Sequence, residues 1–224
     1  MGDKARSGFA DTRAWLRSLR FAEVDPPGWE LPASDGAPDE AFLDWLDDAV
    51  TAGIEEAHVG VLGTVGADGR PDARVLILRD VSGGAWSVSG SAVSAKGAAL
   101  QVNPVATLTF YWREHGRQVR ISGPVVEGPE SVDRDFHERS PLARAVALAS
   151  RQSAPLESES EYHSAVDDAR VRLEAHPWEV PEHWRVWRIK ADRVEFWQAD
   201  PGNRHLRRRF TRDGDAWTTQ DLWP

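Results

Sequence analysis

Two segments of the chain carry polar side chains that suit a flat, charged ligand. Residues 117–123 (RQVRISG) form a predicted strand whose polar side chains project from an apolar region, and residues 195–198 (EFWQ) lead into the arginine-rich residues 203–210. A glutamine can hydrogen-bond the edge of a heterocycle, because its amide carries donors and an acceptor. An arginine fork fits a phosphate. Binding of such groups is one interpretation, and edge-strand decoration beside a basic surface patch is the other.

Other familiar catalytic signatures are missing from the sequence. The seven histidines never form an H-x-H or H-E-x-x-H pattern, which favours scattered surface histidines over a metal site. Neither glycine-rich phosphate loop occurs, and no G-x-S-x-G elbow marks a hydrolytic serine. Because the chain contains no cysteine, a disulfide framework, a zinc ribbon, an iron–sulfur site and a thiol nucleophile are excluded.

Composition limits the class of protein further. The 224 residues predict one large domain or at most two small ones. With 27 Lys and Arg against 36 Asp and Glu, the net charge of −9 argues against a chain that coats nucleic acid. The first residues lack the apolar stretch of a secretory signal, and no apolar run approaches the ~18 residues of a membrane span. We therefore expect a soluble, cytoplasmic protein with neither a nucleic-acid nor a membrane partner.

Short strands and several helices must position the polar residues. Residues 1–38 are interpreted as an N-terminal extension with a short helix near 12–19, and residues 39–224 as the folded domain. Serial apolar runs separated by turn residues predict an antiparallel barrel or sandwich decorated by helices. The predicted strands are 59–65, 73–78, 85–88, 105–112, 118–123 with a continuation to 127, 184–189, 194–197 and a segment around Trp217. Two predicted helices begin at the caps Asp39 and Ser94. Three more cover 131–138, 143–150 and 159–176, and Pro141 separates the first two of these.

Alternation along one predicted strand separates two arginines. Successive side chains of a strand point to opposite faces, so Arg74 lies with Leu76 on one face and Arg79 with Ile77 on the other. If one ligand site uses both arginines, the strand must twist or leave the sheet before Arg79.

The order of several spaced motifs resembles the pyridoxine/pyridoxamine 5′-phosphate oxidase family. The resemblance runs from about residue 58 to the C-terminus. It implies a mainly β, α+β fold, the antiparallel FMN-binding split β-barrel, which forms a homodimer with two FMN molecules at the subunit interface. The motifs are RVLILR at 74–79, SAKG at 94–97, NP at 103–104, FYW at 110–112, RQVRISG at 117–123, FH at 136–137 with Arg139, SRQS at 150–153, EFWQ at 195–198 and a tail containing His205.

The resemblance also implies a set of FMN contacts in this chain. The cations Arg74 and Lys96 suit the phosphate, because charge-assisted hydrogen bonds are about twice as strong as neutral ones. The amides of Gln118 and Gln152 suit the edge of the isoalloxazine ring, and Trp197 offers an aromatic wall. The remaining implied FMN contacts are Ser89, Ser153 and Arg207.

The implied site departs from the family's pattern on both sides. On the flavin side, a Tyr-Thr pair is Ser89-Gly90 here, and an arginine is Ala95. On the substrate side, the family binds the substrate phosphate with four side chains: a lysine, a tyrosine, an arginine and a serine. The corresponding residues here are Arg79, Asp135, Arg139 and Ala143. Two unit charges ~4 Å apart interact by about 4 kcal/mol at an effective dielectric constant near 20. An ionised Asp135 is therefore expected to repel a phosphate.

Most of the family's flavin contacts are present in this sequence, whereas the contacts to the substrate phosphate differ. This contrast predicts an FMN-dependent oxidase whose substrate differs from the vitamin B6 phosphates. Related enzymes that act on reduced phenazine-type rings indicate that the scaffold accepts other flat substrates. The expected reaction passes a hydride from a C–N or ring C–H bond to flavin N5, and oxygen reoxidises the flavin to give peroxide. His205 is predicted to be catalytic, because a histidine can exchange a proton near neutral pH. The predicted substrate contacts are Arg79, Asp135, Arg139, His205 and Asn203, the last of which replaces a family arginine.

Three alternatives stay open at this point. The chain could be a genuine pyridoxine/pyridoxamine 5′-phosphate oxidase with a repacked pocket. It could be a flavin-binding carrier or sensor without turnover. Finally, Arg204 and the arginines at 207–209 could form a nucleic-acid patch, which the net charge of −9 disfavours.

Overall fold

Ten strands and six helices make up the described part of the chain, which in this computed structural model comprises residues 12–19, 24, 26, 28, 30–200, 202 and 204–224. The helices are α1 (Thr12–Ser18), α2 (Pro38–Thr51), α3 (Ala95–Val102), α4 (Val132–His137), α5 (Pro141–Ala149) and α6 (Glu159–Ala175). The strands are β1 (Val59–Val65), β2 (Pro71–Ile77), β3 (Asp80–Ser82), β4 (Ala85–Ser91), β5 (Val105–Trp112), β6 (Arg117–Glu127), β7 (Trp184–Lys190), β8 (Arg193–Gln198), β9 (Leu206–Asp213) and β10 (Ala216–Asp221). None of these helices is long and apolar enough to cross a membrane.

The sheet is antiparallel, and the pairing partner of β6 switches from β8 to β7 along its length. Its main path is β10-β9-β8-β6-β5-β1-β2. Residues 117–122 of β6 pair with β8, whereas residues 125–127 pair with β7, which continues through β4 to β3. At the switch, a Cβ on Gly123 would lie 2.1 Å from the carbonyl oxygen of Lys190, so the close approach of these two backbones requires glycine. The curled antiparallel sheet with helices confirms the expected fold class.

The core lies between the curled sheet and helix α2. Five neighbouring strands, β9, β8, β6, β5 and β1, each contribute one fully buried apolar side chain to a line of residues across the sheet. Burial of this apolar area stabilises the curl. Phe42 of α2 packs on this surface, with its ring 4.9 Å from that of Phe110 and 5.8 Å from that of Trp86. The line consists of Leu62, Leu108, Ile121, Val194 and Phe210.

Helix α2 begins differently from the prediction. Ala37 occupies the N-cap position and Pro38 the first turn, where a proline is favoured because its missing N–H has no intrahelical partner to lose. The carboxylate of Asp39 accepts the backbone N–H of Gly84 at 3.1 Å instead. The predicted capping role of Asp39 is therefore wrong. The predicted break between the helices at 131–138 and 143–150 is confirmed, and Pro141 itself lies in the first turn of α5, which begins two residues earlier than predicted.

The chain leaves the sheet between Arg74 and Arg79, which is the break expected if one ligand site uses both arginines. Strand β2 ends at Ile77, and the N–H of Leu78 still donates to the His58 carbonyl at 2.9 Å. The N–H of Arg79 donates to the Ser87 carbonyl of β4 at 2.8 Å instead. Arg79 consequently belongs to the β4 side of the molecule.

Part of the predicted N-terminal extension contacts the domain. The side chain of Leu31 packs against the core. The carbonyl of Gly28 accepts the Gln198 amide at 2.7 Å, and the carbonyl of Pro32 accepts the Arg208 guanidinium at 2.7 Å. The domain division at residue 38 stays a prediction.

Arg117 connects α2 with two strands. Its buried guanidinium donates to the Asp48 carboxylate at 2.7 Å and to the Gln198 side-chain oxygen at 3.1 Å. It also lies 4.3 Å above the ring of Trp45. The arginine of the RQVRISG motif is thus a structural contact between the helix and the sheet.

Replacement of Arg117 by methionine is expected to lower the free energy of unfolding by about 2 kcal/mol, because Gln198 would lose the partner of a buried polar atom. Urea denaturation at a fixed protein concentration measures the loss. The control is Arg113→Met, which removes an arginine that is 65% exposed and should change stability by less than about 0.5 kcal/mol. Equal stability of the two variants would contradict the structural role of Arg117.

Candidate functional site

One group of predicted residues surrounds Lys96 at the start of α3. Ser94 caps this helix as predicted, accepting the N–H of Gly97 at 3.3 Å. The buried ammonium of Lys96 donates to the Ser94 hydroxyl at 3.0 Å and to the Gln152 side-chain oxygen at 3.0 Å. We call Arg74, Ser94, Lys96 and Gln152 the lysine cluster.

The lysine cluster concentrates positive charge. Burial, followed by the nearby charge of Arg74, lowers the pKa of Lys96 to about 8. Arg74 is held by the Thr64 hydroxyl at 2.8 Å and by the Asp72 carboxylate. Among the described residues, Lys96 forms no ion pair. A buried cation with only neutral partners is the chemistry of an anion-binding site.

Ser153, another predicted contact, closes one side of the lysine cluster. Its hydroxyl accepts the backbone N–H of Ala95 at 3.1 Å, and its backbone φ is +72°. A positive φ is uncommon for a residue other than glycine. This contact connects the SRQS motif to the beginning of α3.

A second group of predicted residues surrounds Asp135 of α4. The buried carboxylate accepts Arg79 Nε at 2.6 Å, the Ser89 hydroxyl at 3.2 Å and Trp184 Nε1 at 2.9 Å. Arg139 Nε lies 3.5 Å from it, and another nitrogen of Arg139 donates to the Ser89 hydroxyl at 2.7 Å. Burial lowers the pKa of Arg139, an effect that the charge of Asp135 opposes. We call these five residues the arginine cluster.

The two clusters meet on strand β4. Ser89 belongs to the arginine cluster, although the resemblance places it among the flavin contacts. At the next residue, a Cβ on Gly90 would lie 2.7 Å from Cε of Lys96, so glycine leaves the space that the lysine side chain occupies. Ser89 and Gly90, which replace the family's Tyr-Thr pair, therefore each make a close contact in one of the two clusters.

A third group lies across strands β6, β8 and β9. Gln118 pairs with Trp197, and Trp197 pairs with Arg207, so the three side chains form a row on one face of the sheet. We call them the cross-strand row. His205 adjoins it, with its ring 5.2 Å from that of Trp197 and with a backbone φ of +35°. Within the described part of the chain, the buried Nδ1 of His205 has no hydrogen-bond partner.

Arg74 of the lysine cluster and the residues of the cross-strand row lie on opposite faces of the sheet. Arg74 pairs with Leu62, and Leu62 pairs with Leu108 of β5, so their side chains share the core face. Gln118 pairs with Tyr111, which lies an odd number of residues from Leu108 and points to the other face. A single chain thus presents the two halves of the implied flavin site to different sides.

Two residues of the site were missed from the sequence. Trp184 donates to Asp135, and the buried Glu195 accepts Arg207 at 2.7 Å. No short-range signal reveals either contact, because the partners lie on different elements. Asn203, a predicted substrate contact, lies outside the described residues.

The arginine-rich segment forms most of strand β9, which the sequence did not predict. Arg208 pairs with the Asp221 carboxylate at 2.7 Å, and Arg209 donates to the Gln220 side chain at 2.8 Å. Together with the ion pair between Arg207 and Glu195, these contacts hold the three arginines against neighbouring strands of the sheet. In the described ranges, no group of three or more His, Cys, Asp or Glu could hold a metal ion.

Two family models match the chain. The model described as pyridoxamine 5′-phosphate oxidase matches residues 46–198. The model described as pyridoxine 5′-phosphate oxidase C-terminal dimerisation region matches residues 184–224. Together the matches extend from α2 to the last residue.

Curated relatives are similar over most of their length. A pyridoxine/pyridoxamine 5′-phosphate oxidase of Bordetella pertussis is 37% identical over 191 residues, which cover 84% of this chain and 90% of the relative. A protein of the same description from Thermosynechococcus vestitus is 39% identical over 219 residues, covering 96% and 98%.

Solved structures share the fold. PhzG from Burkholderia lata 383, in complex with tetrahydrophenazine-1-carboxylic acid, superposes with a TM-score of 0.80 at 29% identity, covering 90% of this chain and 98% of PhzG. An FMN-binding, pyridoxamine 5′-phosphate oxidase-related protein from Nostoc punctiforme superposes with a TM-score of 0.68 at 18% identity, covering 84% and 99%. The second likeness concerns the fold alone.

Proposed function

The chain belongs to the pyridoxamine 5′-phosphate oxidase family, and we propose that it is an FMN-dependent oxidoreductase whose substrate differs from the vitamin B6 phosphates. The observation that carries the proposal is the contrast between the two clusters that meet on β4. Lys96 has only neutral partners among the described residues and is available to an anion. Arg79 and Arg139 already share the carboxylate of Asp135.

The chemistry of the lysine cluster and the cross-strand row fits FMN. Lys96 and Arg74 would hold the phosphate, since both are cations and Lys96 is buried without an ion-pair partner in the described part of the chain. Gln118 and Gln152 would hydrogen-bond the ring edge, and Trp197 would contact the ring face. The other proposed FMN contacts are Ser89, Ser153 and Arg207.

A homodimer would bring these contacts together. Because Arg74 of the lysine cluster and Gln118 of the cross-strand row lie on opposite faces of one chain's sheet, we propose that each flavin site takes one group from each subunit. The match of residues 184–224 to a dimerisation region supports this arrangement.

The residues around the substrate orient it and handle its proton. When bound, FMN would supply hydride-acceptor chemistry at N5 with reoxidation by oxygen to give peroxide. Nδ1 of His205, which has no hydrogen-bond partner among the described residues, is the group we propose to orient the substrate or to accept its proton. Trp197 holds the imidazole in place by ring contact, and the arginine cluster would bind the far end of the substrate.

The affinity for FMN is expected to fall as pH rises from 7 to 9. The free protein loses the Lys96 proton around its pKa of about 8, whereas a bound phosphate keeps the lysine charged. With these values, the dissociation constant at pH 9 should be about tenfold that at pH 7. Fluorescence titration of FMN measures it. Lys96→Met should remove the pH dependence, and an equal dependence in that variant would contradict the assignment.

A genuine pyridoxine/pyridoxamine 5′-phosphate oxidase is the second candidate. The relatives that are 37–39% identical and carry that description favour it. The buried carboxylate of Asp135 between the arginines opposes it, since a phosphate would meet like charge there.

Anaerobic reduction of the FMN-loaded protein tests the proposed function. Reduced polycyclic ring compounds, simple amines and the vitamin B6 phosphates are each mixed with the protein, and loss of flavin absorbance is followed. We expect ring compounds to bleach the flavin, and oxygen to restore it with release of peroxide. Faster reduction by pyridoxamine 5′-phosphate would identify the second candidate. Tight FMN binding without reduction by any compound would indicate a carrier or sensor.

A further inference from the structure

The carboxylate of Asp135 is fully engaged by the protein. Its Oδ1 accepts Arg79 Nε and the Ser89 hydroxyl, and its Oδ2 accepts Trp184 Nε1 beside the guanidinium of Arg139. An ionised carboxylate offers about four lone-pair sites, so these neighbours leave little capacity for a ligand. Asp135 therefore acts as an anion that the fold supplies to its own arginines.

The charge of the arginine cluster limits the anion that it can accept. Two guanidinium groups and one carboxylate leave a net charge of +1 in the cluster. A phosphate monoester carries a charge of about −1.5 to −2 at neutral pH, whereas a carboxylate carries −1. A carboxylate would neutralise the cluster, but a phosphate would leave an excess negative charge among partly buried groups, which is unfavourable.

The arginines retain donors for such a ligand. Arg79 uses Nε for Asp135, and its two terminal nitrogens donate to no other residue in the described part of the chain. The side chain of Arg79 is 23% exposed and that of Arg139 is 19% exposed, so both can be reached from solvent. Two parallel N–H groups of a guanidinium match the two oxygens of a carboxylate.

We infer that the arginine cluster selects a substrate with a single carboxylate on a flat ring and rejects a phosphate, with Asp135 as the specificity-determining residue. The inference rests on the proposed function, which places the substrate beside this cluster. It predicts that removal of the Asp135 charge reverses the preference, because the cluster charge then rises to +2.

Calorimetry with two flat anions tests the inference. The probes are 1-naphthoate and 1-naphthyl phosphate, which differ only in the charged group. At pH 8 the native protein should bind the carboxylate about tenfold more tightly, and Asp135→Asn should bind the phosphate more tightly by a similar factor. The control is Asp133→Asn, which removes an exposed carboxylate from the same helix and should keep the native preference.

Several results would overturn the inference. The first is that the native protein prefers the phosphate or binds neither probe. The second is that the Asp135→Asn variant folds and keeps the native preference. If Asp135→Asn fails to fold, Arg79→Met decides: it must lose naphthoate binding at unchanged FMN affinity, and retained binding refutes the inference. Each titration is made with and without FMN, so a failure to bind FMN refutes the proposed function separately from the anion preference.

Discussion

Replacement of Lys96 by methionine is expected to raise the dissociation constant for FMN about 100-fold. Lys96 is buried, and its partners among the described residues are the neutral Ser94 and Gln152, so a bound phosphate would be its first opposite charge. Removal of one member of a buried, hydrogen-bonded charge pair costs about 2–5 kcal/mol, and a 100-fold change corresponds to about 2.7 kcal/mol. Quenching of FMN fluorescence on titration with protein measures the constant.

The chain offers a matched control for this substitution. Lys190 is exposed at the end of β7 and is not part of the lysine cluster, so Lys190→Met removes the same charge from another place in the fold. We expect Lys190→Met to change the FMN affinity by less than about twofold. A folded Lys96→Met protein that binds FMN as tightly as Lys190→Met would show that the phosphate does not contact Lys96.

Replacement of His205 by asparagine is expected to slow flavin reduction by about 100-fold or more, since a positioned acid–base group contributes about 10²–10⁴-fold. Asparagine suits the position because it tolerates the positive φ of +35° that His205 adopts. The FMN affinity should change little, because the proposed phosphate contacts lie in the lysine cluster. Stopped-flow absorbance under anaerobic conditions separates the reduction rate from flavin binding.

His163→Asn is the control for the histidine substitution. His163 is exposed on α6, so its loss should leave the reduction rate unchanged. If His205→Asn reduces flavin at the native rate, His205 is not the proton-handling group. If it loses FMN instead, the residue belongs to the cofactor site.

Local sequence patterns predicted most elements of the fold. The bounds of β1 and β5 match the predicted strands, because apolar runs end there at residues that favour turns. Strand β9 was missed, since four consecutive positions of it are Leu206 and the arginines at 207–209. Those arginines are compatible with a strand because Glu195 and Asp221 on neighbouring strands pair with two of them. That information is not local.

The resemblance supplied the candidate site residues, and the contacts between them required the structure. Asp135 was expected to repel a bound phosphate, and the structure adds that it pairs with both arginines of its own chain. Trp184 lies 49 residues from Asp135 in the sequence, so no periodicity connects them. The proposal that each flavin site uses two subunits rests on the pairing register of Gln118 and Arg74, which the sequence does not specify.

Titration of the apoprotein with FMN, followed by light scattering during gel filtration, shows whether a dimer of this chain binds the flavin. We expect a dimer that acquires oxidised-flavin absorbance and saturates at one FMN for each chain, with fluorescence quenched on binding. A monomer, or a dimer that stays colourless when FMN is added, would contradict the claim that two copies of this chain jointly bind the flavin.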